Sequence, residues 1–248
     1  MRYLTLLSLV VVSSLAFAED ALPSADELLG AMDKNLTFQS RRARMTMTVE
    51  GRRKRTYDLI SYGRGQDDSA MEYLAPARDK GTRMLKLGGD LWLYLPGVDR
   101  VQKISGHLLR DGMMGSDLSY EDLMSSAELR RAYTARVVGS DTVDGVACWK
   151  IEMKSHDDTV SYPRRVSWVT KDTLIPAKQE LYALSGLLLK TWTMSDVKDF
   201  PGGRKFPMKM VVVDNVKKES STTLEFKELE FGHPFEQEVF ALRWLERH

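Results

Sequence analysis

The sequence has a single cysteine, Cys148, in 248 residues, which excludes an internal disulfide. It lies in the alternating stretch Val146-Ala147-Cys148-Trp149-Lys150-Ile151, the setting of a buried, inert thiol rather than a catalytic one. Neither sign of charge is in excess, with 36 Lys and Arg against 35 Asp and Glu. A nucleic-acid binder would carry a basic surplus, so no nucleic acid is expected among the partners. Catalytic signatures are missing too. There is no H-E-x-x-H, G-x-S-x-G elbow, P-loop or dinucleotide fingerprint, and Gly112 to Gly115 reads only G-M-M-G. His107, His156, His233 and His248 lie far apart, without metal-ligand spacing. No cofactor or metal is therefore expected, and an enzyme is the weaker class.

Long apolar runs are also absent, except at the very start. Arg2 supplies a basic region, Leu4 to Leu15 an apolar run too short to span a bilayer, and Ala16-Phe17-Ala18 a small-residue cleavage pattern. Residues 1–18 are read as a cleaved secretory signal peptide. No cysteine follows directly, so a lipid anchor is not expected and the mature chain should be soluble. Removal of Arg2 leaves 35 basic against 35 acidic residues, a balanced mature chain. Residues 19–248 contain no low-complexity tract or long linker and are expected to form a single domain.

What is present is strand periodicity. Ser24 to Met32 reads as a short amphipathic helix with a serine cap and Glu27 three residues on. From Arg42 the period drops to two: Ala43, Met45, Met47 and Val49 alternate with Arg44, Thr46, Thr48 and Glu50. The run Gly51-Arg52-Arg53-Lys54-Arg55 reads as a solvated hairpin tip. Strands are expected at 56–62, 69–74, 82–87, 90–95 and 100–105, then at 133–140, 147–155, 164–171, 176–184, 187–197, 209–215 and 222–231. Between the two groups, residues 119–129 read as a helix capped by Ser119 with Asp122. A dozen strands with few helices describe a mostly β fold, one large curled antiparallel sheet.

The strand Asp90–Leu95 departs from ordinary amphipathicity. Leu91, Leu93 and Leu95 share one side, and Trp92 and Tyr94 the other, so both sides must be buried or face an apolar hollow. Methionine is plentiful, and the M-x-M pairs Met45/Met47 and Met208/Met210 each place two sulfurs on one face of a strand. Thioethers in such pairs can hold Cu(I), but adaptable filling of a cavity that receives flexible chains is the reading taken.

The stretches W-L-Y-L-P-G-V-D-R-V at Trp92–Val101 and M-G-S-D-L-S-Y-E-D-L at Met114–Leu123 resemble the LolA-like periplasmic family of outer-membrane lipoprotein-sorting proteins. Three later pieces follow in the family's order: D-G-V-A-C-W-K-I-E from Asp144, Y-P-R-R-V-S-W-V-T-K-D from Tyr162, and G-L-L-L-K from Gly186. The resemblance implies an open half-barrel of curled antiparallel sheet wrapped over a few helices, with an apolar cavity for acyl chains of lipids or lipoproteins. It also implies periplasmic work, beside an inner-membrane transporter of the resistance-nodulation-division (RND) type. The cavity arginine of LolA itself is not carried over to a numbered residue.

Candidate wall positions are Met45, Met47, Leu59, Met71, Tyr73 and Leu85 in the first half of the sheet, with Trp92 and Tyr94 on the doubly apolar strand. Trp168 and Trp192 are candidates in the second half, and Leu123 and Met124 on the helix. Gly112, Gly115 and Ser119 are expected to set the movement of that helix as a lid. A soluble carrier is the leading reading, with a lipid-sensing regulatory or transporter-adaptor module as the alternative.

Overall fold

The computed structural model describes residues 22–246, apart from 125–128, 158–159, 218 and 236. The expected signal peptide lies outside them. The helix α1, Ala25–Leu36, opens on the expected cap: Glu27 N donates to Ser24 Oγ at 3.1 Å, and Ser24 N to Glu27 Oε2 at 3.2 Å. It runs a turn past Met32, and Arg204 Nη1 donates to the terminal carbonyls of Lys34 and Asn35, the favourable place for a cation.

Thirteen strands follow. The first half holds β1 (Ser40–Glu50), β2 (Arg55–Arg64), β3 (Asp68–Ala75), β4 (Arg83–Leu87), β5 (Asp90–Leu95) and β6 (Arg100–Ile104). The second holds β7 (Tyr133–Val143), β8 (Val146–Ser155), β9 (Arg164–Thr170), β10 (Pro176–Tyr182), β11 (Leu188–Phe200), β12 (Arg204–Asp214) and β13 (Ser221–Phe231). All pair antiparallel in one sheet, in the order β6-β5-β4-β3-β2-β1-β13-β12-β11-β10-β9-β8-β7. The fold is mostly β, a curled sheet left unclosed between β6 and β7. β12 begins five residues before the expected Lys209. Pro207 is accommodated because β12 pairs with β13 only over Lys209–Val212, so the missing N–H has no ladder to interrupt on that side.

This order dictates what covers the sheet. The chain starts at the centre, pairs outward to the β6 edge, and resumes at the opposite edge with β7, so residues 105–132 must cross from edge to edge. They do so through 3-10 turns at Gly106–Arg110 and Met113–Gly115, then α2 (Tyr120–Met124) and α3 (Leu129–Ala132). The single helix expected over 119–129 is thus two short ones, with 125–128 outside the described residues. Leu118, Tyr120, Leu123 and Met124 from the crossing pack against Met45, Met47, Leu59 and Phe206 of the inner sheet face. Beside them α1 places Leu28, Leu29 and Met32 on Tyr133, Ile151 and Met153.

The outer face carries an apolar cover at β3–β5. There the last described residues, including α4 (Leu242–Leu245), lay Phe240, Trp244 and Leu245 over Ala70, Leu85 and Tyr94, with Trp92 beside them. Arg83 Nη1 donates to the carbonyls of Trp244 and Leu245 at 3.2 Å. The apolar character of both sides of β5 is explained: one side faces the interior, and the other lies under this strap.

Candidate functional site

Between the inner sheet face and the crossing lies a cavity of about 420 Å³, lined by α1, strands of both halves and residues 113–123. Parity puts its walls there. In β1 and β2 the odd-numbered residues Met45 and Leu59 point inward, and their cross-strand pairing makes them neighbours. Seven methionines line it: Met32, Met45, Met71, Met84, Met113, Met194 and Met210. Phe206, Phe226 and Trp192 add aromatic wall. Flexible, polarisable thioethers suit a container that must fit chains of varied shape and close on itself when empty.

The expected wall residues divide into three groups. Met45, Leu59, Met71, Leu123 and Trp192 line the cavity. Met47, Tyr73 and Met124 belong to the adjoining apolar core behind it, with Met47 and Tyr73 wholly buried. Leu85, Trp92, Tyr94 and Trp168 point the other way. The first three lie under the C-terminal strap. Trp168 is on the outer face of β9, its ring between the ammonium groups of Lys150 and Lys178 and its Nε1 donating to Asp141 Oδ2 at 2.7 Å. Strand period identifies which residues share a face; the outer cover of Leu85, Trp92 and Tyr94 comes from a distant part of the chain, and that of Trp168 from neighbouring strands.

The expected lid residues sit in a heavily bonded stretch. Ser119 caps α2 as read: Ser119 N donates to Asp122 Oδ2 at 2.7 Å, and Asp122 N to Ser119 Oγ at 3.2 Å. Gly112 is required by space rather than by swing, since a Cβ there would stand 2.4 Å from the Ser116 carbonyl oxygen. Gly115 has φ +73° and lies under Arg55, which donates to the carbonyls of Met114 and Gly115 at 3.0 and 2.9 Å. Arg55 is exposed, as expected of the tip, but it is the first residue of β2 and ties the crossing to that strand. Thr222 on β13 and Ser220 just before it donate to Asp117 Oδ2, and Lys217 Nζ donates to the Ser116 carbonyl. The tightest tie is the buried pair of Lys190 on β11 with Asp122, which also accepts from Tyr162 OH at 2.8 Å. Burial, and then the Asp122 charge, raise the Tyr162 phenol far above its ordinary range, so it stays a neutral donor.

Sequence reading missed the polar members of the wall. Arg41, Ser61 and Lys86 all line the cavity. Arg41 is in phase with Ala43, Met45 and Met47, and that parity was the available signal. Its guanidinium carbon stands 4.8 Å from the Phe38 ring centre, and burial brings its pKa down to about 10, still a cation at neutral pH. Lys86 is buried, and desolvation lowers its pKa against the opposing pull of Asp67 and Asp68. Among the described residues no cluster of His, Cys, Asp and Glu could hold a metal ion, and no helix is long and apolar enough to cross a membrane.

An unclosed antiparallel sheet curled around an apolar cavity, with a helical crossing over it, defines a LolA-like binding protein. Comparison with solved structures agrees. A DUF1329 family protein from Desulfovibrio piger superposes with a TM-score of 0.80 at 26% identity, covering 88% of this chain and 96% of that one. A domain described as an outer membrane lipoprotein-sorting protein from Vibrio parahaemolyticus gives 0.78 at 25%, covering 90% and 100%. A LolA superfamily protein from Nitrosomonas europaea shares the fold, with a TM-score of 0.73 at 20% identity over 90% of this chain and all of that one. No curated protein matches the chain. A family model carrying the description "Uncharacterized protein" matches residues 65–247. The chain belongs to that family, and its fold is LolA-like.

Proposed function

We propose that this protein carries the acyl chains of a lipid or lipoprotein through the aqueous periplasm, and that its 113–123 crossing opens to admit them. The observation that carries this reading is the methionine-lined cavity of about 420 Å³. Its size falls in the range of about 300–1,000 Å³ typical of ligand sites. An acyl chain gains about 0.8 kcal/mol for each methylene moved out of water, so transit needs an apolar container. The crossing supplies Met113, Leu118 and Leu123 to the wall, so any displacement of it changes the cavity directly. Its outside ties are mostly polar, which suits reversible opening, because water can replace hydrogen bonds but not apolar contacts. An inner-membrane RND-type transporter as donor or acceptor, and export through a cleaved leader at 1–18, complete the proposal. Protein purified natively without detergent, extracted with organic solvent and analysed by mass spectrometry, should yield acylated species in near-stoichiometric amount. Extracts free of acylated molecules, together with no uptake of any acyl-chain probe by the folded protein, would remove the reading.

A further inference from the structure

The cavity is not uniformly apolar. Part of its polar wall, Asp68 included, lies at the end of the sheet that carries the β2–β3 turn, where Arg41, Gly63, Ser69 and Lys86 form one row across β1 to β4, each opposite the next in register. All four line the cavity, with Gln66 beside them. Two atoms here are buried without any hydrogen-bond partner among the described residues: Arg41 Nε and Ser61 Oγ. Arg41 is opposite Gly63, and Ser61 lies two residues along the same inward face, a diagonal neighbour. Among the described residues no ion pair joins Arg41 to a carboxylate, and its guanidinium stacks on the Phe38 ring. Buried polar groups are ordinarily satisfied, and two orphans side by side in one cavity wall, one of them a cation, ask for a ligand atom that accepts hydrogen bonds.

We infer that Arg41 and Ser61, with Lys86 farther along the same row, form an anion site that holds a carboxylate or phosphate headgroup while the chain lies among the methionines. This rests on the carrier reading and narrows it to anionic amphiphiles. Guanidinium and hydroxyl can both donate to one oxyanion, and the planar guanidinium suits carboxylate or phosphate. Gly63 leaves the floor between strands low, although Phe38 already lies over it: a Cβ at 63 would stand 2.7 Å from Phe38 Cε2. Phe38 is thereby fixed against the guanidinium, which is held toward the cavity rather than free to turn to solvent.

The test measures the equilibrium affinity of the delipidated full chain for three probes of equal chain length: a fatty acid, an alkyl monophosphate and the neutral fatty alcohol. Both anions are expected to bind about tenfold or more tighter than the alcohol, as a charge-assisted contact implies. Preference for only one anion would identify the headgroup as carboxylate or phosphate. Arg41→Met should abolish most of the preference while leaving alcohol binding within about twofold, and Arg41→Lys should restore part of it. If wild type binds all three equally, the anion site is wrong and the carrier reading stands. If it binds none, the carrier reading itself fails. Because the decisive comparison is made on wild type, a poorly folded variant would not obscure it.

Discussion

Lys190 and Asp122 are 8% and 5% exposed, so their ion pair is out of water on both sides. Removing one member of such a pair leaves a buried charge and costs about 3–5 kcal/mol. Lys190→Met belongs at the lower end, about 3 kcal/mol, because Asp122 keeps the Tyr162 hydroxyl and the Ser119 N–H as donors. Asp122→Asn should cost as much or more, since it leaves Lys190 a buried cation with neutral acceptors only, the amide oxygen and the Ser119 hydroxyl at 3.3 Å. In the double variant no uncompensated charge remains, so a coupling of about 2 kcal/mol should return. Urea unfolding gives these totals, and hydrogen exchange divides them. If the pair clasps a gate, amides of 113–124 should lose protection far more than those of β5. Single variants that cost under about 1 kcal/mol and leave exchange unchanged would refute the clasp. Losses spread evenly over the chain would make the crossing a fixed plug.

Trp244→Ala, which uncovers the outer face of β3–β5, should cost about 3 kcal/mol in urea unfolding and raise binding of an apolar surface dye. Met47→Asp buries a carboxylate in the core behind the cavity and should cost about 4 kcal/mol or prevent folding, whereas Thr48→Asp on the opposite face should stay within about 1 kcal/mol, as circular dichroism melts will show. Burial raises the Cys148 thiol above its ordinary pKa, so its thiolate forms only at more alkaline pH; thiol reagents should label the native protein slowly and the urea-unfolded chain at once.

The period-two alternation of β1 and the turn residues between strands made the antiparallel sheet legible, nearly to its boundaries. The Ser24 and Ser119 caps were legible because a capping box is a local pattern of three or four residues. What alternation does not carry is the identity of the inner face at a strand greasy on both sides. Trp92 and Leu91 differ by one residue, and only the strap from residues 239–245, about 150 positions away, decides which of them looks inward. Trp168 misled for a related reason: two lysines and an aspartate from neighbouring strands shelter it on the outside. Arg41 was missed because a charged residue at the head of a strand ordinarily faces water, and its parity with Met45 and Met47 was the contrary sign.

Covalent mapping of a bound chain tests the central claim most directly. A fatty acid carrying a photoreactive group near its terminus, irradiated in complex with the delipidated protein, should attach to peptides containing Met45, Leu59, Met71, Leu123 or Trp192, and excess unlabelled fatty acid should suppress the adducts. Adducts confined to peptides of the outer face, such as those around Trp168 or the 239–245 strap, or adducts that unlabelled ligand does not suppress, would contradict an acyl-chain cavity beneath the crossing.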